Sequence, residues 1–409
     1  MTALDVQPAV ITQAGALRYE ALQEATARLE PPFAVVDLDA FDVNAGDLMR
    51  RAGAKPIRLA SKSVRSRVLI DRALGRASFQ GILAFTLAEA LWLAEDHDDV
   101  VIGYPTADAT SLRLLAADER LASRVTLMID STEHLDFVEA SLDTGHPPIR
   151  VCIDLDAALE LAGGKVHLGP RRSPVRSPAQ AVRLARAVLS RKGFTLVGLM
   201  AYEGQIAGLG DNYPGMPMKR AALRAMQRAS TDELAERRGA VVEAVRALAP
   251  LEFVNGGGTG SLESTAAEEA VTELTAGSGL YAPGLFDYYR GFRHYPAAFF
   301  VLSVVRRPAP EIVTVLGGGW VASGPPGPDR LPKIAWPTGL SMSATEAAGE
   351  VQTPVSGAAA ARLGIGDRVW FRHAKAGELC ERVDELHLVR GTQVIGTVPT
   401  YRGEGKYFL

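Results

Sequence analysis

The chain has 409 residues, 47% of them hydrophobic and 22% charged, with a formal net charge of −3. At ~150 residues per domain this allows two or three domains and a sizeable core. The near-neutral balance excludes a basic field for nucleic acid and a polybasic patch for a membrane surface. The two cysteines, Cys152 and Cys380, are too few for a disulfide framework and predict a reducing compartment. The opening segment MTALDVQPAVITQAG lacks a charged region followed by an apolar one, so no secretory signal is expected. No apolar run reaches the ~18 residues of a membrane span. The expected location is cytoplasmic.

From about residue 33 to residue 260 one rhythm repeats: a short apolar run, then an Ala/Leu/Arg-rich stretch with helical spacing. The runs are Phe33 to Leu38, Pro56 to Ser61, Gly81 to Phe85, Asp99 to Tyr104, Arg124 to Asp130, Ile149 to Leu155, Phe194 to Tyr202 and Leu251 to Gly257. They are apolar on both faces, as parallel strands buried under helices are. Between them lie amphipathic stretches such as Thr86 to Asp96 and Pro178 to Arg191. Eight strand candidates alternating with helices predict an α/β fold, a closed (β/α)8 TIM-like barrel of ~250 residues. An open doubly wound sheet is the alternative.

After about Tyr281 short strand-like runs are punctuated by Gly, Pro and Asp: AAFFVLSVVRR, PEIVTVLGG, PVSG, GDRVWFRH, ELHLVRG and TQVIGTVPTY. They predict a smaller C-terminal β-rich domain, with Gly317 to Lys333 as a loop. The expected division is a barrel over residues 30–283 and a β domain over residues 284–409, the latter joined by residues 1–29.

A barrel places its chemistry at the C-terminal ends of its strands. Lys62 directly follows the second strand candidate. A buried lysine there is costly unless paired or neutralised, and a covalent link to an aldehyde is one solution; a strand cap into solvent is the other reading. The loop Val254-Asn255-Gly256-Gly257-Gly258-Thr259-Gly260-Ser261 follows the eighth candidate. Its glycines permit close backbone approach, and its N–H and hydroxyl groups suit a phosphate, with a tight turn as the plainer alternative. It is not the dinucleotide pattern. Ala276-Gly277-Ser278-Gly279-Leu280-Tyr281 is a second small-residue turn that either adds donors to that phosphate or merely connects domains. Tyr202, before Glu203 and Gln205, either stacks on a flat ligand or forms a wall. His373 and Cys380 are plausible ligands for zinc or a related divalent ion, although a lone His–Cys pair is more often structural. No Ser-His-Asp order, CxxC pair, HExxH or Walker motif occurs.

Taken together, the strand-end lysine, the YEG segment, the VNGGGTGS loop, the AGSGLY turn and the histidine-bearing β domain resemble the alanine-racemase-type fold. The nearest branch is that of D-threonine aldolases and D-serine dehydratases, and HAKAGELCER resembles its amino-acid deaminase/aldolase subgroup. The resemblance spans Pro32 to the C-terminus. It implies pyridoxal 5'-phosphate as cofactor, an amino acid as substrate and a homodimer. By motif, Lys62 would carry the cofactor as a Schiff base. Gly257, Gly258, Thr259, Ser278 and Tyr281 would hold its phosphate, and Tyr202 would line it. His167 or Arg171 stands where relatives carry an arginine near the ring. His373, with Cys380, matches the ligands of a divalent metal (Zn, Mn or Mg).

The sequence departs from that branch in two places. Cys380 lies seven positions after the histidine, where one intervening residue is usual. Ala60 and Val64 stand where the branch places histidines around its lysine. The implied activity is retro-aldol cleavage of a β-hydroxy-D-amino acid, with Lys62 and His373 as catalytic residues. Dehydration or racemisation is the alternative, and a non-catalytic carrier of the cofactor a further one.

Overall fold

The computed structural model describes residues 15–409. Residues 1–14, most of the opening segment read above, lie outside the described residues. In chain order, the first strands are β1 (Phe33–Asp37), β2 (Ile57–Ala60), β3 (Phe79–Ala84), β4 (Val100–Ile102), β5 (Val125–Ile129) and β6 (Ile149–Asp154). A hairpin of β7 (Leu159–Leu161) and β8 (Val166–Leu168) follows, then β9 (Phe194–Ala201), β10 (Phe253–Gly256) and β11 (Glu273–Ala276). Eight of these close a parallel barrel in the order β10-β11-β2-β3-β4-β5-β6-β9.

Local chemistry sets the intervening helices. Ser177 forms a capping box with Gln180, with Pro178 in the first turn, so the helix Pro178–Leu189 starts where its chain direction must reverse. Asp108 and Thr86 cap two others by accepting backbone N–H groups. Leu184, Ala185 and Val188 form the buried face of Pro178–Leu189.

The barrel has eight strands, as the rhythm predicts, but two memberships differ. β1 leaves the barrel: it pairs antiparallel with the first strand of the β domain and parallel with a later one. Its five residues are all buried, and burial on both faces does not reveal which sheet a strand joins. β11 replaces it, closing the barrel between β10 and β2. Its sequence ELTA is masked by polar residues that are buried here. Arg58 donates to Glu273 at 2.7 Å, and Asn255 donates to Glu273 and to Thr275 at 2.8 Å each. These bonds satisfy groups that would otherwise be costly inside a core.

The β domain supplies β12 (Ala298–Ala309), β13 (Ile312–Leu316), β14 (Lys333–Trp336), β15 (Ser341–Met342), β16 (Gln352–Ser356), β17 (Arg368–Arg372), β18 (Glu385–Arg390) and β19 (Gln393–Pro399). The sheet runs β15-β16-β13-β12-β1-β18-β19, with β17 on β12 and β14 on β17. β14 and β15 are additions to the expected strands. Phe33, Phe299, Trp370 and Val389 share an apolar cluster at its centre. Because β1 sits between β12 and β18, the β domain is built from both ends of the chain. Among the described residues no helix is long and apolar enough to cross a membrane.

Candidate active site

A cavity of about 410 Å³ opens where the C-terminal ends of the barrel strands meet the β domain. Lys62 stands on the short 3-10 turn Ser61–Ser63 that ends β2. Its Nζ donates to Tyr104 Oη at 2.8 Å. Burial by itself would raise the Tyr104 phenol, yet Lys62 and then Arg172 pull it below its ordinary value of 10.0. The turn is fastened from outside: Arg65, at φ 51°, donates to the Lys62 carbonyl at 3.0 Å and pairs with Glu381.

The glycine loop follows β10, separated from the lysine-bearing β2 only by β11, so both line the same side of the mouth. Gly257 has φ +87°, which a side chain would disfavour, and a Cβ on Gly258 would come within 2.7 Å of Ala207. Ser63 and Ser278 hydroxyls lie 3.0 Å apart, and Thr259 Oγ1 accepts from the N–H of Gly279 at 3.2 Å. Hydroxyls from three chain segments thus converge on a space that only glycine backbone leaves open, which fits a phosphate group.

Glu203 organises the loop. Its carboxylate accepts from Gly257 N–H at 3.2 Å and Ser261 Oγ at 2.9 Å, and also from Thr265 Oγ1. It pairs at 2.9 Å with Arg238, and both side chains are almost completely buried. Tyr202, one residue before, lines the cavity, and burial pushes its phenol up to about 12.

The other sequence-predicted residues are placed as follows. Lys62, Tyr202, Gly257, Gly258, Thr259 and Ser278 are brought together around the cavity. Tyr281 is not: it is fully buried, and its hydroxyl donates to the Val64 carbonyl at 2.9 Å. Arg171 is exposed and outside the lining; the arginine that reaches in is its neighbour Arg172, 5.1 Å from the Tyr104 ring centre and 4.9 Å from that of Tyr202. One residue of loop phase separates the two, and motif matching does not resolve it. His167 lies on the β7–β8 hairpin against Glu160, also outside the lining.

His373 and Cys380 are both buried beside Tyr281 rather than at the cavity surface. The His373 ring stands edge-on to Tyr281 with neither nitrogen hydrogen-bonded among the described residues. Burial, then Arg372, holds it down to about 3. The Cys380 thiol donates to the Val64 carbonyl at 3.3 Å, burial pushes it up to about 12, and neither it nor His373 lines the cavity. A second cluster, Asp156, Glu160 and His167, brings its ligand atoms within 4.8 Å of one another. Arg176 already competes for its carboxylates, pairing with Asp156 at 2.8 Å and Glu160 at 3.4 Å, and none of the three residues lines the cavity. Neither donor set fits a divalent metal at the cavity.

Sequence reasoning missed Tyr104, Arg172, Ser63, Arg330 and Lys375 in the lining, and the anchoring role of Glu203. Tyr104 was legible as the end of a strand candidate in register with Lys62. Arg330 and Lys375 belong to the β domain, and only folding brings them to the barrel mouth.

A parallel barrel with a lysine at one strand end, a glycine and hydroxyl cradle on the neighbouring strand ends, and a β domain lining the mouth defines a class of cofactor-binding barrel enzymes. The chain belongs to the family described as alanine racemase, N-terminal domain, whose model matches residues 36–283. It is similar to a D-threonine aldolase of Arthrobacter sp, 27% identical over 300 residues, covering 71% of this chain and 72% of the relative. It is also similar to a 3-hydroxy-D-aspartate aldolase of Paracoccus denitrificans (strain Pd 1222), 25% identical over 306 residues, with the same shares covered. Among solved structures, D-threonine aldolase from Filomicrobium marinum matches with a TM-score of 0.71 at 21% identity, over 92% of this chain and 96% of that one. An alanine racemase from Bacillus anthracis shares the fold with a TM-score of 0.58 at 14% identity, over 92% of this chain and 99% of that one.

Proposed function

We propose that this chain is a pyridoxal-phosphate-dependent lyase that cleaves a β-hydroxy-D-amino acid to glycine and an aldehyde. The family and the two aldolase relatives support the reaction class. The observation that carries the reading is the pairing of Lys62 Nζ with Tyr104 Oη at 2.8 Å beside the neutral hydroxyl and glycine cradle. When bound, the cofactor supplies an electron sink for the pair released on bond cleavage. Lys62 would hold it through the amine. Ser63, Thr259, Ser278 and the backbone of Gly257 and Gly258 would hold its phosphate, and Tyr202 would flank it.

This chain's residues divide the remaining work. Tyr104 Oη, lowered by two cations, takes the β-hydroxyl proton, the step that starts a retro-aldol cleavage. That proton passes over the 2.8 Å contact to Lys62 Nζ, which delivers it to Cα once the Cα–Cβ bond has broken; in a dehydration Lys62 Nζ instead removes the proton on Cα. The β domain contributes Lys375 and Ala376 to the rim of the cavity. No step is assigned to a metal, since the donor sets described above do not fit one. A homodimer and a cytoplasmic location also belong to this proposal and rest on the resemblance and composition alone.

The test is incubation of the reconstituted protein with D-threonine, L-threonine and D-serine. Glycine from the D-isomer supports the aldolase; a keto acid makes the enzyme a dehydratase. Borohydride reduction should fix the cofactor to the peptide containing Lys62. A colourless protein, or an adduct on another lysine, overturns the reading.

A further inference from the structure

Among the described residues the cavity lining carries four cationic side chains, Lys62, Arg172, Arg330 and Lys375, and no carboxylate. The first two come from the barrel. Lys62 is committed by the proposed function, on which this inference rests. Arg172 lies against the rings of Tyr104 and Tyr202. The phosphate cradle is neutral, made of hydroxyls and glycine backbone, so it uses none of the four.

Arg330 and Lys375 both come from the β domain. Arg330 ends a 3-10 turn, Pro328–Arg330. Its contact with Asp329 is at 4.0 Å, and its Nε is buried without a hydrogen-bond partner. Lys375 Nζ donates to Ser323 Oγ at 2.9 Å and to its carbonyl at 3.2 Å, both neutral. The charged or ionisable groups facing Lys375 are Glu378, Arg330, Lys62 and Tyr104. Glu378 lies outside the lining and accepts from Ser323 N–H at 2.9 Å. Cations gathered in a partly desolvated space repel one another, and an anion entering between them gains from all of them.

We infer that Lys375 and Arg330 receive a second acidic group on the substrate, so that the preferred substrates are β-hydroxy amino acids with an anionic side chain. The α-carboxylate of any amino acid needs one cation; three remain once Lys62 is set aside. A guanidinium takes a carboxylate through two N–H groups, and an ammonium takes it as a point charge. A neutral side chain such as that of threonine would leave this wall unanswered.

The test uses the reconstituted holoenzyme and two amino acids that lack a β-hydroxyl and are not cleaved, D-aspartate and D-alanine, with binding followed by the change in cofactor absorbance. D-aspartate should bind at least ~10-fold more tightly. Lys375→Met and Arg330→Met should each remove most of that difference while leaving D-alanine affinity within about twofold. In turnover, 3-hydroxy-D-aspartate should exceed D-threonine in kcat/KM, and Lys375→Met should reverse the order. Equal affinity for the two ligands with Lys62 labelled by borohydride overturns this inference and leaves the proposed function standing. Absence of the Lys62 adduct overturns both.

Discussion

Lys62 Nζ and Tyr104 Oη are 2.8 Å apart, although they stand on different strand ends 42 residues apart in the chain. The pairing is a barrel effect: β2, β3 and β4 are neighbours, so the residues following β2 and β4 reach the same mouth. Tyr104→Phe keeps the ring and removes only the oxygen. We expect the Lys62 adduct to form normally while kcat falls by about 10²- to 10⁴-fold. The wild-type rate should rise with pH through the lowered Tyr104 ionisation, and the variant should lose that limb. A variant with wild-type kcat and pH profile would remove Tyr104 from the reaction.

Gly377 controls the Lys62 turn from the β domain. A Cβ at this position would collide with the Lys62 carbonyl oxygen and touch Arg65 Cγ at 3.2 Å. Gly377→Ala should therefore displace the turn and lower cofactor occupancy at fixed cofactor concentration. Gly46→Ala, with open space at its Cβ, is the control and should bind cofactor as the parent does.

Glu203→Gln removes one of the two carboxylates that pair with the buried Arg238 guanidinium, leaving Glu268 at 2.9 Å. Removing one member of an isolated buried pair typically costs ~3–5 kcal/mol, and the remaining Glu268 makes that the upper bound here. Equilibrium denaturation should show a loss below that bound, and phosphate competition for the cofactor site should weaken, because Gly257 and Ser261 bond to different oxygens of Glu203 and glutamine keeps only one acceptor. An unchanged denaturation midpoint would show that the pair does not anchor the loop.

Two buried groups give stability opposite pH slopes. His373 is held down to about 3 from 6.5, so the stability of its neutral form is present above 6.5 and is lost as pH falls toward 3. Asp154 is held up to about 7 from 3.8, chiefly by burial, so its protonated form stabilises at low pH and that contribution is lost as pH rises from 3.8 to 7. Each costs up to ~1.4 kcal/mol per pH unit inside its window. His373→Leu should flatten the acid side of a stability–pH curve, and Asp154→Asn should raise stability at pH 7 relative to pH 4. Parallel curves for variant and parent would refute either assignment.

Chelation gives a further check. Since the cavity lining offers no carboxylate and the acidic cluster outside it is paired with Arg176, dialysis against EDTA should leave turnover unchanged. Loss of activity restored by added Mn or Zn would show donors that this arrangement does not provide.

The sequence by itself determined the parallel barrel, the β domain, the strand-end Lys62 and the glycine cradle, because each depends on local pattern: apolar runs buried on both faces, helix caps, and glycines where backbone must come close. The tertiary structure decided which sheet received β1, since a fully apolar strand fits either. It also placed β11 in the barrel, because Glu273 and Thr275 become core residues only when Arg58 and Asn255 from neighbouring strands satisfy them. The same limit separates Arg172 from Arg171 and brings Arg330 and Lys375 to the mouth. Partners far apart in the chain are set by long-range packing, which no window of sequence contains.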